Sequence, residues 1–150
     1  MRTHRARPDE DGFTLIELMI VVLIIGILVA IALPVMLGAR TRAQDRAAQA
    51  YIKYAFNAER VYYSDGQTYS SLPADMTSIE SSLNYVDGDT PVAQGLVYLH
   101  VHPGPNELFV SVKSASGTCF YVREINGGGV RFAKNAACGI ADTQSFTTSW

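Results

Sequence analysis

Apolar and polar residues change rhythm twice along this chain. Residues 13–33 form an apolar run in which only Thr14 and Glu17 carry a polar side chain. At about 1.5 Å rise per residue the run makes roughly 32 Å of helix, the thickness of a bilayer core, so a membrane-spanning helix is expected there. Beyond Pro34 the pattern becomes amphipathic. Ala47, Tyr51, Tyr54, Ala58 and Val61 recur with spacings of 4, 3, 4 and 3, which gathers them on one helical face, while Arg42, Arg46, Gln49, Lys53 and Arg60 fall elsewhere. The helix is therefore expected to continue over residues 34–64, and Gly66, following Ser64 and Asp65, suits a left-handed C-cap. Unbroken over residues 13–63, such a rod is about 76 Å long. One small domain cannot enclose it, so its membrane-proximal half needs lipid or sibling helices along its sides. Ala39, Ala43, Ala47, Ala48 and Ala50 either permit close helix approach or serve helix propensity alone.

Residues 65–95 read as a helix-to-sheet connector with one short helix at about residues 77–83. Its length exceeds that of an ordinary loop, which points to a packed surface segment with a role in subunit contact. From Leu96 the period becomes two. Val97, Leu99 and Val101 alternate with Tyr98, His100 and His102; Pro103, Gly104, Pro105 and Asn106 turn the chain; Leu108, Val110 and Val112 alternate with Phe109, Ser111 and Lys113. Two further strands, Cys119–Ile125 and residues 130–134, are joined through Asn126 and three glycines. The expected fold is α+β: a long N-terminal helix packed by its C-terminal half on a four-stranded antiparallel sheet within residues 96–150, a ladle with the helix as handle.

Composition narrows this picture. The 150 residues leave room for one modest domain outside the membrane. Residues 34–63 carry five basic and two acidic side chains, whereas residues 65–150 carry four basic and eight acidic ones, a mildly acidic head on a basic neck. Arg2, Arg5 and Arg7 precede the apolar run and Arg40, Arg42 and Arg46 follow it, so the positive-inside rule gives no clean orientation. Both cysteines lie in the head with no C-x-x-C motif, which favours an oxidising compartment outside the cytoplasm; the N-terminus is then cytoplasmic. Cys119 and Cys138 enclose 18 residues, a spacing that allows a disulfide tying the tail to the third expected strand, with free buried thiols as the alternative.

Glu17 is the most informative residue, because a carboxylate inside a bilayer is costly and marks a site with a partner. The stretch GFTLIELMIVVLIIGILVAIALP, residues 12–34, closely resembles the N-terminus of type IV pilin precursors. The resemblance implies that residues 1–12 are a cytoplasmic leader removed by prepilin peptidase after Gly12, and that Phe13 becomes the N-methylated mature terminus. It places Glu17 on the family's acidic position, and Gly26 and Pro34 on positions commonly filled by those residue types. Asp9, Glu10 and Asp11 crowd the cleavage site where the family often has a basic residue. A cationic amine at Phe13 could pair with Glu17 of an adjacent chain in a low-dielectric bundle, setting axial register; a Glu that snorkels to the interface or is protonated is the bland alternative. Gly26 and Pro34 weaken the helix between them, through backbone freedom and a missing N–H, and suit a segment that kinks or unwinds when subunits pack into a filament. The two-cysteine C-terminal region is similar to the disulfide-bounded region of many type IV pilins and weighs against the pseudopilins of secretion systems, which commonly lack it.

Enzymatic chemistry finds no support. There is no P-loop, G-x-S-x-G or H-E-x-x-H motif, and no cofactor or metal is expected. His100 and His102 share a strand face without a third ligand, which reads as a solvated face. Arg123, Arg131 and Lys134 could cluster across adjacent strands, but the acidic head leaves nucleic-acid binding unsupported. The expected function is a structural subunit, major or minor, of a type IV pilus serving adhesion, motility or DNA uptake. It would be held in the membrane and then polymerised on the cell surface with sibling pilins by an assembly platform and motor. A pseudopilin of a type II secretion or competence system, and a monomeric membrane-anchored binding module, are the alternatives.

Overall fold

A computed structural model describes residues 12–102, 106–126 and 128–150. The leader up to Asp11, most of the expected turn at Pro103 to Asn106, and Gly127 lie outside the described residues. The chain comprises two compact units, Met1–Ala39 and Arg40–Trp150. A single helix, α1 (Leu15–Gly66), contributes to both and carries Pro34 in its interior. In the first unit it is the one regular element among the described residues.

The second unit continues with α2 (Pro73–Ile79), β1 (Asn84–Asp87), β2 (Leu96–His102), β3 (Glu107–Lys113), β4 (Cys119–Ile125), β5 (Arg131–Asn135) and a 3-10 turn at Ala141–Thr143. The strands form one sheet in the order β1-β2-β3-β4-β5. Strands β2 to β5 make the antiparallel meander that the period-two pattern predicts, with Val97 opposite Val112 and Leu99 opposite Val110. The alternation continues as Val112 faces Phe120 and Val110 faces Val122, so one face of the sheet is apolar across three strands.

The sheet has five strands rather than four. β1 arises inside the expected connector and pairs in parallel with β2, from Asn84 opposite Leu96 to Asp87 opposite Leu99. Four residues are too few to show a period, and strands separated by a short link normally pair antiparallel. Tyr85, buried with Leu83 in the main core, anchors this segment at the sheet edge, and the Gly88 N–H that follows it donates to the Leu99 carbonyl at 2.9 Å. The short helix also starts earlier than expected, because Pro73 is pre-set for its first turn.

The helix presents a different face from the one the tyrosines suggested. Ala48, Ile52, Ala55, Phe56 and Ala58 are buried against the sheet, with Ile52 0% exposed, whereas Tyr51 at 39% and Tyr54 at 54% stand outside the core. One position is about 100° of helical rotation, so the set of Ala48, Ile52 and Phe56 is the neighbouring stripe. Branched and small side chains fit closely over flat strands, and the more polar tyrosines take the solvent side. Ser116 donates a side-chain hydrogen bond to Asp45, fastening the start of this packing to the β3–β4 connection. At the other end Gln67, not Gly66, takes the left-handed conformation, with φ 53°. Its N–H donates to Tyr63 at 2.8 Å, and its carbonyl accepts from the Asn106 side chain at 3.1 Å. Those two bonds compensate the strain of a side chain at positive φ.

The opposite sheet face is covered as well. Phe109, Cys119, Tyr121, Ala133 and Ala141 form a second core with Cys138 and Phe146 against it. The Tyr121 hydroxyl donates to the Gly139 carbonyl and accepts from its N–H, both at 3.0 Å, pinning the tail. Thr147 then bridges Phe132 on β5, and Trp150 packs on Phe120 and Phe132 against the helix-side core, so the tail passes from one sheet face to the other at β5.

Candidate assembly surface

Glu17 sits at the start of α1, where the first N–H groups of a helix lack intrahelical partners. Thr14 precedes the first helical residue, and its N–H donates to Glu17 Oε2 at 2.9 Å. The Thr14 hydroxyl donates to the same oxygen at 2.6 Å and accepts from the Glu17 N–H at 3.3 Å. Thr14 and Glu17 therefore form a capping box, the T-x-x-E arrangement that satisfies two orphan donors reciprocally. T-L-I-E immediately before an apolar run is the usual sequence signal of this role, hidden here by the cost of a carboxylate in a membrane segment. The cap uses one carboxylate oxygen and leaves Oε1 without a hydrogen bond among the described residues.

Behind the cap every large apolar side chain up to Leu37 is exposed, from Val29 at 46% to Phe13 at 83%. Among the described residues, this is the one helix long and apolar enough to cross a membrane, with a mean hydropathy of 3.2 over its best window and none of that window buried. So large an apolar surface needs a non-aqueous environment or a protein partner. Gly12 and Gly26 have no neighbour within 4 Å of the place a side chain would occupy. Helical structure runs through Gly26 and Pro34, so the expected weak points are present in composition while the helix stays wound across them in the single chain.

Cys119 and Cys138 are joined by a disulfide with a Cα–Cα distance of 5.4 Å, linking the first residue of β4 to the segment after β5. Cys119 is fully buried. His100 and His102 lie on a face that is only partly open to solvent. Their rings meet edge-on at 4.8 Å and both approach Phe109, at 6.2 and 5.6 Å. His102 Nε2 lies 3.7 Å from Asp142 Oδ2 beside the 3-10 turn. The tail that follows the disulfide half-covers this face, which period alone leaves open to water.

Of the three basic residues expected to cluster, Lys134 separates from the other two. Arg123 and Arg131 are direct cross-strand partners, whereas Lys134 pairs with Phe120 on the opposite face. Arg123 is ion-paired with Glu107 and lies over the rings of Phe109 and Phe146, at 5.8 and 5.7 Å. Arg131 is exposed, and an open cavity of about 450 Å³ is lined by Arg123, Ile125, Gly129, Arg131, Gln144 and Phe146.

Two buried carboxylates on the helix side of the sheet were also missed. Glu59 is fully buried, with Oε2 accepting from the Ser70 N–H at 3.3 Å and Oε1 unpaired. Burial, reinforced by the negative charge of Asp75 against the Ser70 hydrogen bond, pushes its carboxyl up to about 8. Glu124 is fully buried with neither oxygen hydrogen-bonded, and Arg60 Nη2 approaches to 3.9 Å. The alternation Phe120, Val122, Glu124 places this charge on the apolar face, and Glu59 continues the stripe from Ile52 and Phe56. Those patterns are visible in the sequence once the correct helix face is known.

Comparison with known proteins agrees with the motif and extends it over the head. The family described as the prokaryotic N-terminal methylation motif matches residues 7–33. The chain is 32% identical over 142 residues to the type IV wide pilus major component PilA4 of Thermus thermophilus, covering 94% of this chain and 93% of that protein. It is 44% identical over 70 residues to the type IV major pilin protein PilA of Myxococcus xanthus, covering 47% of this chain and 32% of that one. It also matches the type II secretion system core protein G of Escherichia coli, 32% identical over 75 residues, covering 50% of this chain and 52% of that protein. The match to the secretion protein covers about half of each chain, but the pilus component matches nearly end to end, and on that coverage this chain belongs to the type IV pilin family.

Proposed function

We propose that this chain is a structural subunit of a type IV pilus, without enzymatic activity, stored in the membrane through its N-terminal helix and polymerised with sibling pilins at the cell surface. The single observation that carries the reading is the exposed apolar length of α1 in the first unit, attached to a disulfide-closed head that is already folded. The head has spent its apolar surface on its own two cores; the first half of α1 has not. Such a surface is satisfied by lipid before assembly and by identical helices after it.

Within this reading a prepilin peptidase cuts after Gly12, leaving Phe13 as the methylated terminus. Glu17 then serves two partners. Oε2 closes the helix cap, and Oε1 is free to receive the amine of an adjacent Phe13, which fixes axial register when the pair leaves water. Gly26 and Pro34 give the packed helix a segment that yields under load. Mass spectrometry of the mature chain tests processing: an N-methylated Phe13 start is expected, and an intact Met1 start would rule the reading out. Isolated surface fibres composed mainly of this chain would separate a pilus from the second reading, a pseudopilin. That second reading draws on the match to the secretion core protein G, whereas the near full-length match to a major pilus component favours the first.

A further inference from the structure

The head distributes its charge by sheet edge. Residues 65–95, which lead into β1, flank it and follow it, contain Asp65, Asp75, Glu80, Asp87 and Asp89 and no lysine or arginine. Residues 119–135, which form β4 and β5, contain Arg123, Arg131 and Lys134, and their one acid, Glu124, is buried. β1 and β5 are the first and last strands of the sheet, so Asp87 at the end of β1 and Arg131 at the start of β5 lie at opposite margins; Asp89 has left the β1 margin, its carbonyl accepting from the Ala141 N–H, and on the other side Thr147 bridges β5 at Phe132. On the acidic side Asp87 ends β1 and is exposed. On the basic side Arg131 stands opposite Arg123 in the β4–β5 register, an arrangement of like charges that is unfavourable within one chain. Glu107 offsets Arg123, and no acid of this chain is paired with Arg131 among the described residues. The cavity beside them is lined by both guanidinium-bearing residues together with Phe146 and Ile125, so a carboxylate entering it would meet cationic and apolar side chains.

Two different, complementary patches at opposite margins of one domain are what a heterologous contact requires, and such a contact propagates into an open filament instead of closing on a dimer. We propose that adjacent heads in the polymer meet through these margins: the basic β5 edge of one copy, with Arg131 at its cavity, receives the acidic β1 edge of the next, with Asp87 as the leading carboxylate. This deepens the pilus reading and rests on it. Charge complementarity here selects partner and orientation, while the apolar helices supply most of the cohesion. A plain alternative use of Arg131 and Lys134 is protection of an edge strand against unwanted pairing, and a soluble polyanion is an alternative occupant of the cavity.

The test is charge exchange in cells that express this chain as their sole pilin. Arg131→Glu and Asp87→Arg are each expected to lower recovered fibre about tenfold, and the double variant R131E/D87R to restore most of it, since the pair is re-formed with reversed sign. Membrane level and an intact disulfide in each variant check that the head still folds. Fibre yield unchanged by both single variants would overturn the proposal, as would a double variant no better than the singles. Fibres of normal yield from Arg131→Glu that lose retention on immobilised heparin would assign the cavity to a polyanion instead. Failure of the underlying reading looks different: the unmodified chain would then be absent from fibres altogether.

Discussion

The two halves of α1 are made of similar residue types and meet opposite fates. From Phe13 to Leu37 the large apolar side chains are all exposed, whereas between Ala48 and Glu59 a single stripe is removed from water by the sheet. The difference lies in what each half has to pack against. The sheet and its connector supply a partner for about three turns of helix, and the first half has none within its own unit. Hydrophobicity that folding consumes stabilises the head; hydrophobicity that folding leaves over directs the chain to a membrane or to copies of itself. Where the two halves differ most sharply is in their carboxylates. Glu17 is held in a cap on an exposed helix end, and Glu59 is enclosed.

The largest effect should come from separating the two roles of Glu17. Glu17→Gln retains a side chain able to close the capping box but removes the charge. Fibre assembly is expected to be lost while membrane insertion and head folding persist; normal fibre yield from this variant as sole subunit would exclude a register role for the charge. On the folding half, Ile52→Ala should cost the head about 2–5 kcal/mol in denaturant unfolding, because it empties a fully enclosed site. Tyr54→Ala, two positions away but exposed, should leave head stability nearly unchanged, and equal losses from the two would contradict the face assignment. Replacing both Cys119 and Cys138 by Ser should lower head stability by about 3 kcal/mol, the value expected for a loop of this size, measured by the same unfolding curves.

Glu59 gives the folding half a pH signature. Its carboxyl titrates near 8 in the folded head against 4.5 for the free group, so the folded state keeps a proton that the unfolded chain has lost. Stability therefore falls as pH rises through that window and levels off above it. Glu59→Gln should flatten the profile and raise stability on the alkaline side by on the order of 2 kcal/mol. An unchanged slope between those pH values would place the group elsewhere. The smallest effect is expected from Gly26→Ala, which has open space for a methyl group and should strengthen the first half by up to about 1 kcal/mol of helix propensity. If the segment yields in the fibre, this variant should shorten fibre extension under force without changing yield.

Legibility in the sequence followed the length of each signal. The membrane-length helix, its continuation beyond Pro34 and strands β2 to β5 rest on runs of at least five residues with one period, and they stand where the pattern puts them. β1 is only four residues long, and its parallel pairing depends on a neighbour rather than on its own composition. The stripe of Ala47, Tyr51, Tyr54, Ala58 and Val61 was a true period that meets the core only at Ala58, since periodicity states that a helix is two-sided without stating which side a sheet accepts. Glu59 hid the correct stripe, because a charge at its end looks like solvent-facing sequence.

The sequence alone determined what local chemistry controls: a helix long enough to span a bilayer, a carboxylate near its start, an alternating sheet and two cysteines in the head. Local period, backbone propensity and apolar length act over a few residues and need no partner to be read. Tertiary structure alone decided the side of α1 that is buried, the fifth strand, the enclosure of Glu59 and Glu124, the partial covering of the histidine face and the separation of Lys134 from Arg123 and Arg131. Each depends on residues distant in the chain competing for the same water-free space, and that competition is settled only when all of them are present.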